Sequence, residues 1–406
     1  MQPLKFKRPI RGRHAIAPRL HGDVRSGPFG YGLLRGLLAA LLLALVGTAP
    51  AWGASDIKLV QIGPFTVLPT PDATQVNQGI KAYVNHANKT GTNGHQIAFS
   101  EADDRFNVDV FLEQFNKVLQ EKPLALLLPI GSNAVKRVLD DKLLDSADIV
   151  VMNAIPGAES LRSPGHPKLF HIRAGDKQQI EKIINHVRTL GIKRLSVLHE
   201  DLPVGTSGMA VALQVAKVKQ GVDIKGVKSA ITPVELANAS KEVAVQNPQG
   251  VLIVGTPRFM ADGVAAVRKA GVSQAIFVLS YAPAPLIVKL AGLEGARGVG
   301  IAQTFPNPNG HTLPLHRDFQ AAMKATYPQI QEYTPFHLEG YITARTLAEA
   351  VKRMKDKEPT PSGLVNTLHS MGELDFGGFR VDFSKGNVGS TFVDIGVIGH
   401  DGRLRY

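Results

Sequence analysis

The stretch Leu124-Ala-Leu-Leu-Leu-Pro-Ile130 decides the fold. It is seven residues long and apolar throughout, too short for a core helix and without the polar alternation of a half-exposed strand. A fully apolar strand is what a parallel sheet needs when helices cover both of its faces. Outward from it the same unit recurs. On its N-terminal side, Ile57–Gly63 and His95–Ser100 read as strands separated by the helical pattern Ala73–Lys89, and Asn107–Glu121 reads as a helix with Asn107 as N-cap. On its C-terminal side come a helix over Ser132–Leu144 and a strand over Ile149–Asn153.

The alternation breaks around Pro164–Ile172 and restarts. Lys168–Ile172, Arg194–His199, Ile224–Ser229, Gly250–Val254, Ala275–Leu279 and Gly298–Gln303 read as strands. Helical patterns lie between most of them, at Lys177–Leu190, Gly205–Gln220, Pro233–Asn247 and Arg258–Ala270. Strands alternating with helices predict parallel α/β sheets with right-handed crossovers. These are too many units for one sheet, so the spacing predicts two lobes. The tail differs: helices over Leu315–Lys324 and Pro335–Met354, then short strands at Phe379–Phe383, near Thr391–Ile398 and at Arg403–Tyr406, with Asp401-Gly402 as a hairpin turn.

The first 53 residues are of another kind. Leu37–Val46 (LLAALLLALV) is a short apolar run preceded by basic residues and followed by Ala51-Trp52-Gly53, the pattern of a secretory signal peptide. Cleavage is expected after Gly53, with Ala51 as the competing site and an uncleaved anchor as the alternative. Of the chain's net charge of +12, the leader carries eight Lys/Arg against Asp23, so the remainder is near +5. The overall basicity therefore does not indicate nucleic-acid binding. There is no Cys, hence no disulfide and no lipid-bearing cysteine at the cleavage site. The expectation is a freely soluble periplasmic protein.

Catalytic signatures are missing. HExxH, GxxxxGK[ST] and GxSxG do not occur, and no GxGxxG follows the first strand. His166, His171 and His186 suit no usual metal spacing. The reading is not an enzyme, with no metal and no cofactor. Ligands of open α/β sheets sit beyond the carboxyl ends of the strands, and two such lobes on a hinge make a closing cleft.

IGPF (Ile62–Phe65), TNGHQIAFSEADDRFN, PIGSNAV, NAIPGAESLR, LFHIRA, LGIKRLSVLHED and TPFHLEGYITARTLAEAVKRM follow one another in an order that resembles the type I periplasmic binding proteins. These are the solute-binding subunits of ABC importers of the Leu/Ile/Val-binding type. The resemblance covers roughly Asp56 to Tyr406. It implies two Rossmann-like lobes joined by three crossovers, closure on a small ligand, docking on an ABC permease of the inner membrane, a monomer, and no catalysis. It divides the chain into a signal peptide (1–53), an N-terminal lobe (54–172 plus about 305–360) and a C-terminal lobe (173–304 plus about 361–406).

The resemblance also supplies candidate ligand contacts: Phe65 and Thr66 after the first strand, Ser132 and Asn133 at a helix start, Asn153-Ala154-Ile155, Asp201, Tyr281 and Phe305. Simpler roles stand beside these. Ser132 caps its helix, Asn153 turns the chain, Asp201 is a solvated acid, and Phe65, Tyr281 and Phe305 pack the lobes. Tyr341 reads as core. In HEDLPVG (199–205), Leu202 and Val204 replace an acid and an aromatic common in the family. This weakens an α-amino acid ligand and leaves an aliphatic or aromatic carboxylate equally suited. A ligand sensor of the same fold, signalling through a partner protein, is the competing function.

Overall fold

The computed structural model describes residues 56–66, 72–355 and 358–406. The expected signal peptide lies outside the described residues. Five parallel strands form the first sheet: β1 (Ile57–Gly63), β2 (Ile97–Asp103), β3 (Ala125–Leu127), β4 (Val150–Met152) and β5 (Leu169–Phe170), in the order β2-β1-β3-β4-β5. The second sheet repeats that order. Here β6 (Arg194–Glu200), β7 (Asp223–Ser229), β8 (Gly250–Val254), β9 (Ala275–Val278) and β10 (Gly300–Gln303) run β7-β6-β8-β9-β10, all parallel. The α/β class with two parallel-dominated sheets is therefore as the strand periodicity predicts.

The apolar run Leu124–Ile130 shows why. Ala125 and Leu127 point into one core cluster and Leu126 into another. Ile57 and Leu59 of β1 likewise oppose Val60 and Ile62, and Val150 and Met152 of β4 oppose Val151. Successive side chains alternate in direction, and both directions are covered by helices. These are α1 (Asp72–Thr90), α2 (Val108–Leu119), α3 (Ser132–Asp140) and α4 (Leu143–Ser146). Asn107 caps α2 as expected, its Oδ1 accepting from the N–H groups of Asp109 (2.9 Å) and Val110 (3.1 Å). The single helix expected over Ser132–Leu144 is two, because Lys142 turns left-handed at φ 55°.

The second sheet carries α5 (Asp176–Thr189), α6 (Pro203–Lys219), α7 (Pro233–Val245), α8 (Pro257–Lys269) and α9 (Ala284–Ala296). α9 escaped the sequence reading: two prolines open it, and Gly292, at φ 70°, kinks it. Two further helices, α10 (Pro314–Thr326) and α11 (Pro335–Arg353), return to the first sheet and pack on α1. Tyr341 of α11 is buried there, edge-on to Tyr83 and Phe319.

The tail after α11 contacts both sheets. α12 (Pro361–Ser370) packs on α11 and β4, and Phe383 meets Phe170 of β5 edge-on at 5.1 Å. A short antiparallel pair, β11 (Leu374–Asp375) with β12 (Arg380–Val381), follows. Only β13 (Asp394–Ile398) and β14 (Leu404–Arg405) join the second sheet, antiparallel beyond β10. Their turn carries Gly402 at φ 76°, as Asp401-Gly402 predicts.

Candidate functional site

In the order 2-1-3-4-5 successive strands are added first to one side of β1 and then to the other, and ligands bind beyond the carboxyl ends at such switch points. In this chain the two switch points meet. One cavity of about 170 Å³ is walled by Ile130–Ala134 after β3, Leu202–Val204 after β6 and Thr256 after β8, with Asp104 and Phe106–Val108 after β2. Both sheets contribute to it.

Four helices begin at this cavity, and their N-termini are not equivalent. A helix start leaves unsatisfied N–H groups and favours negative charge. Asn107 satisfies the start of α2. At α8, Thr256 is the cap, and Glu200 accepts from its N–H (2.6 Å) and its hydroxyl (3.2 Å). α3 starts after Gly131 and α6 after Leu202, and neither has a side-chain cap. The two uncapped termini come from opposite sheets. Together they can hold an anion between them.

The walls between these termini are apolar: Phe106, Val108, Ile130, Ala134, Leu202, Pro203 and Val204. Phe106 is 52% exposed, in a turn where Arg105 (φ 50°) and Phe106 (φ 52°) are both left-handed. Consecutive left-handed residues other than glycine are costly and cluster at ligand clamps. Beneath this turn Asp104 is 1% exposed, its Oδ1 accepting from the Phe106 N–H at 2.8 Å. Burial pushes its carboxyl up to about 6, and the charge of Asp103 adds to this.

Of the ten residues suggested by resemblance, Ser132 and Asn133 border this cavity. Ser132 is the first helical residue of α3 and not its cap; Gly131 takes the cap position. Phe65 and Thr66 are tied to the end of β2, where the Phe65 N–H (2.9 Å) and the Thr66 hydroxyl (2.5 Å) donate to the Asp103 carboxylate. Asp201 is turned to Lys228 of β7 at 3.2 Å. Ala154 and Ile155 are core, and Phe305 is fully buried with its ring 5.1 Å from that of Phe379. Tyr281 is buried and donates its hydroxyl to Asp176. Leu202 and Val204, the positions where the resemblance expects an acid and an aromatic against the ligand, also border the cavity, whereas Asp104, Phe106 and Thr256 were missed as wall residues. The apolar Phe106 within the polar run ADDRFN was the available signal.

Asn153 has a structural role. At φ 59° it is buried, its amide N–H groups donating to Glu339 (3.1 Å) and Thr343 (3.0 Å). Its Oδ1 accepts the N–H groups of Ile172 (2.9 Å) and Arg173 (2.7 Å). Arg173 is itself buried and forks onto Glu339, Nε to Oε1 at 2.9 Å and Nη2 to Oε2 at 2.5 Å. Its third donor, Nη1, reaches Ser280 Oγ at 2.5 Å. The guanidinium lies 5.4 Å from the Tyr281 ring centre and 5.7 Å from that of Phe336.

Two further buried groups near this joint titrate in opposite senses. Burial raises Asp72 from 3.8 to about 7, with Arg173 opposing and Glu339 adding. Burial lowers His337 from 6.5 to about 4. Asp72 therefore contributes stability that is complete below pH 4 and lost as pH rises to 7. His337 contributes stability that is complete above pH 6.5 and lost as pH falls to 4. Asp72→Asn should gain about 2–4 kcal/mol on the wild type between pH 4 and 7. His337→Gln should gain on the wild type as pH falls through 6.5. Urea unfolding of the three proteins across that range checks this; parallel pH profiles would show that neither burial matters.

Two similarly wound parallel sheets facing each other across a cavity are the architecture of the type I periplasmic binding fold. The chain belongs to the periplasmic binding protein family, whose profile it matches over residues 56–397. It is 55% identical to an extracellular ligand-binding receptor from Verminephrobacter eiseniae, covering 86% of this chain and 100% of that one at a TM-score of 0.83. A substrate-binding periplasmic protein from Ralstonia solanacearum is 25% identical, over 86% and 99% of the two chains, at a TM-score of 0.77. A leucine-binding protein from Thermotoga maritima shares the fold, at 16% identity, 86% and 97% coverage and a TM-score of 0.74. No curated protein matches the chain. The family is one of solute binding and implies a periplasmic location. Among the described residues no helix is long and apolar enough to cross a membrane.

Proposed function

We propose that the chain captures a small carboxylate between two lobes and delivers it to an ABC permease of the inner membrane. The carboxylate is either an amino acid or an aliphatic or aromatic acid. One observation carries the reading: the uncapped N-termini of α3 and α6 face one apolar-walled cavity from opposite sheets. An anion held by both termini touches both lobes only when they are together, so it favours the closed arrangement. The first lobe comprises the β1–β5 sheet with α10, α11 and α12; the second comprises the β6–β10 sheet with β13 and β14. Names of similar structures, an extracellular ligand-binding receptor and a substrate-binding periplasmic protein, agree with this role. The leader expected at 1–53 would export it.

A thermal-shift panel of amino acids, aliphatic and aromatic carboxylates and matched amides tests the reading. A ligand at about 100 times its Kd stabilises by ~2.7 kcal/mol, enough to move the melting point by a few degrees. The expected result is a shift with acids and none with their amides. Equal response to acid and amide would remove the anion site from the argument. The matched pair leucine and 4-methylpentanoate separates the two acid classes, since they differ by the ammonium group. In calorimetry with the acid so found, Ser132→Ala should bind about 3–10-fold more weakly, the worth of one hydrogen bond, with an unchanged melting point. Unaltered affinity would take Ser132 out of the site.

A further inference from the structure

Arg173 lies on the link between β5 of the first sheet and α5, which packs on the second. Its bonds divide unevenly across that link. Three fasten it to the first-sheet side: its own N–H to Asn153, and Nε and Nη2 to Glu339 of α11. One hydrogen bond crosses, from Nη1 to the hydroxyl of Ser280 at 2.5 Å. Ser280 follows β9 and is fixed to the second-sheet side, because its N–H donates to Gln179 of α5 at 3.0 Å. Tyr281, beside it, is held on the same side by Asp176 of α5 and offers its ring to the guanidinium. The guanidinium is buried, and a bond made by a buried charge is worth more than a neutral one.

We propose that the Arg173–Ser280 bond is a hinge latch, a side-chain contact across the crossover whose strength sets how far the two lobes rest apart. The inference rests on the two-lobe reading above, but it concerns the lobes without solute. Glu339 and Asn153 fix the position of the guanidinium, and Ser280 Oγ is the movable partner. When the second sheet swings about the link, the first-side bonds turn with Arg173 while the Ser280 bond changes length. The latch then biases the lobe equilibrium toward the arrangement in which it is formed. It also raises the apparent affinity for any solute that needs that arrangement, because affinity scales with the population of the competent state.

The chain has no cysteine, so spin labels can be placed by Lys117→Cys on α2 and Lys241→Cys on α7, both exposed. Pulsed electron resonance then reads the distance between the lobes in solute-free protein. Ser280→Ala should move the distribution toward longer distances, with a population change on the order of tenfold, the worth of one hydrogen bond to a charged group. Ser280→Thr, which keeps the hydroxyl, should retain the wild-type distribution. Thr343→Val removes a bond to Asn153 that lies wholly on the first-sheet side, and it should lower stability without moving the distribution. An unchanged distribution in Ser280→Ala overturns the latch, and so does an equal displacement by Thr343→Val. Absence of solute binding would appear in the thermal-shift panel and leave these distances untouched.

Discussion

Glu339→Ala should destabilise the protein by about 3–5 kcal/mol, because it leaves the Arg173 guanidinium buried without its counter-charge. Both partners of this ion pair are almost completely buried, and the fork is bidentate. Desolvating two charges is expensive, and their attraction returns the cost only while the geometry is intact. Removing one partner keeps the whole desolvation cost of the other. Asn153 loses an acceptor in the same step, and the guanidinium retains Ser280 and two aromatic rings as partners. The double variant Arg173→Met with Glu339→Leu should recover much of the loss, since apolar groups of similar volume often replace a buried pair with little penalty. Urea unfolding of the wild type, Arg173→Met, Glu339→Leu and the double variant gives the coupling energy. Strict additivity of the two substitutions would mean that the pair does not act as a unit.

The same joint shows what a sequence reveals and what it hides. Strands at Ile57–Gly63 and Gly250–Val254 could be read to the residue, because apolar runs bounded by turn residues have a local cause. Asn107 as cap was equally local: its side chain meets backbone two and three residues ahead. Asn153 was picked out too, yet the acceptors of its amide N–H groups are 186 and 190 residues away. Nothing near NAIPG shows that its amide is spent on α11. The cavity was half legible for the same reason. Ser132 and Asn133 stand at a predicted helix start, where anion binding follows from backbone geometry. Thr256 and Phe106 reach the cavity only because two sheets face each other and two residues adopt left-handed turns, neither of which has a local signature. α12 was missed although Thr360-Pro361 is a cap followed by a first-turn proline, with Thr360 accepting from the Gly363 N–H at 3.1 Å.

Alanine at Gly340 or Gly79 should cost about 3 kcal/mol or more, the upper range for overpacking a core. α1 and α11 form the most extensive helix–helix contact among the described residues, and they cross at these two glycines. A Cβ on Gly340 would stand 2.0 Å from the carbonyl oxygen of Val76, and one on Gly79 would stand 2.0 Å from that of His337. Both obstacles are backbone, so no rotamer change relieves them; the helices must separate. Separation would also move Glu339, which neighbours Gly340, away from Arg173. The damage should therefore reach the joint, and Gly340→Ala should lengthen the interlobe distance as well as lower the melting point. Gly191→Ala is the comparison: at φ 73° it is strained by its backbone, but a Cβ there meets nothing within 4 Å. Its cost should be about 1–2 kcal/mol, the penalty for a left-handed non-glycine residue, with the joint intact. If Gly340→Ala were no worse than Gly191→Ala, the two helices would have room to spare, and the close crossing could not be what holds α11 and its Glu339 in place.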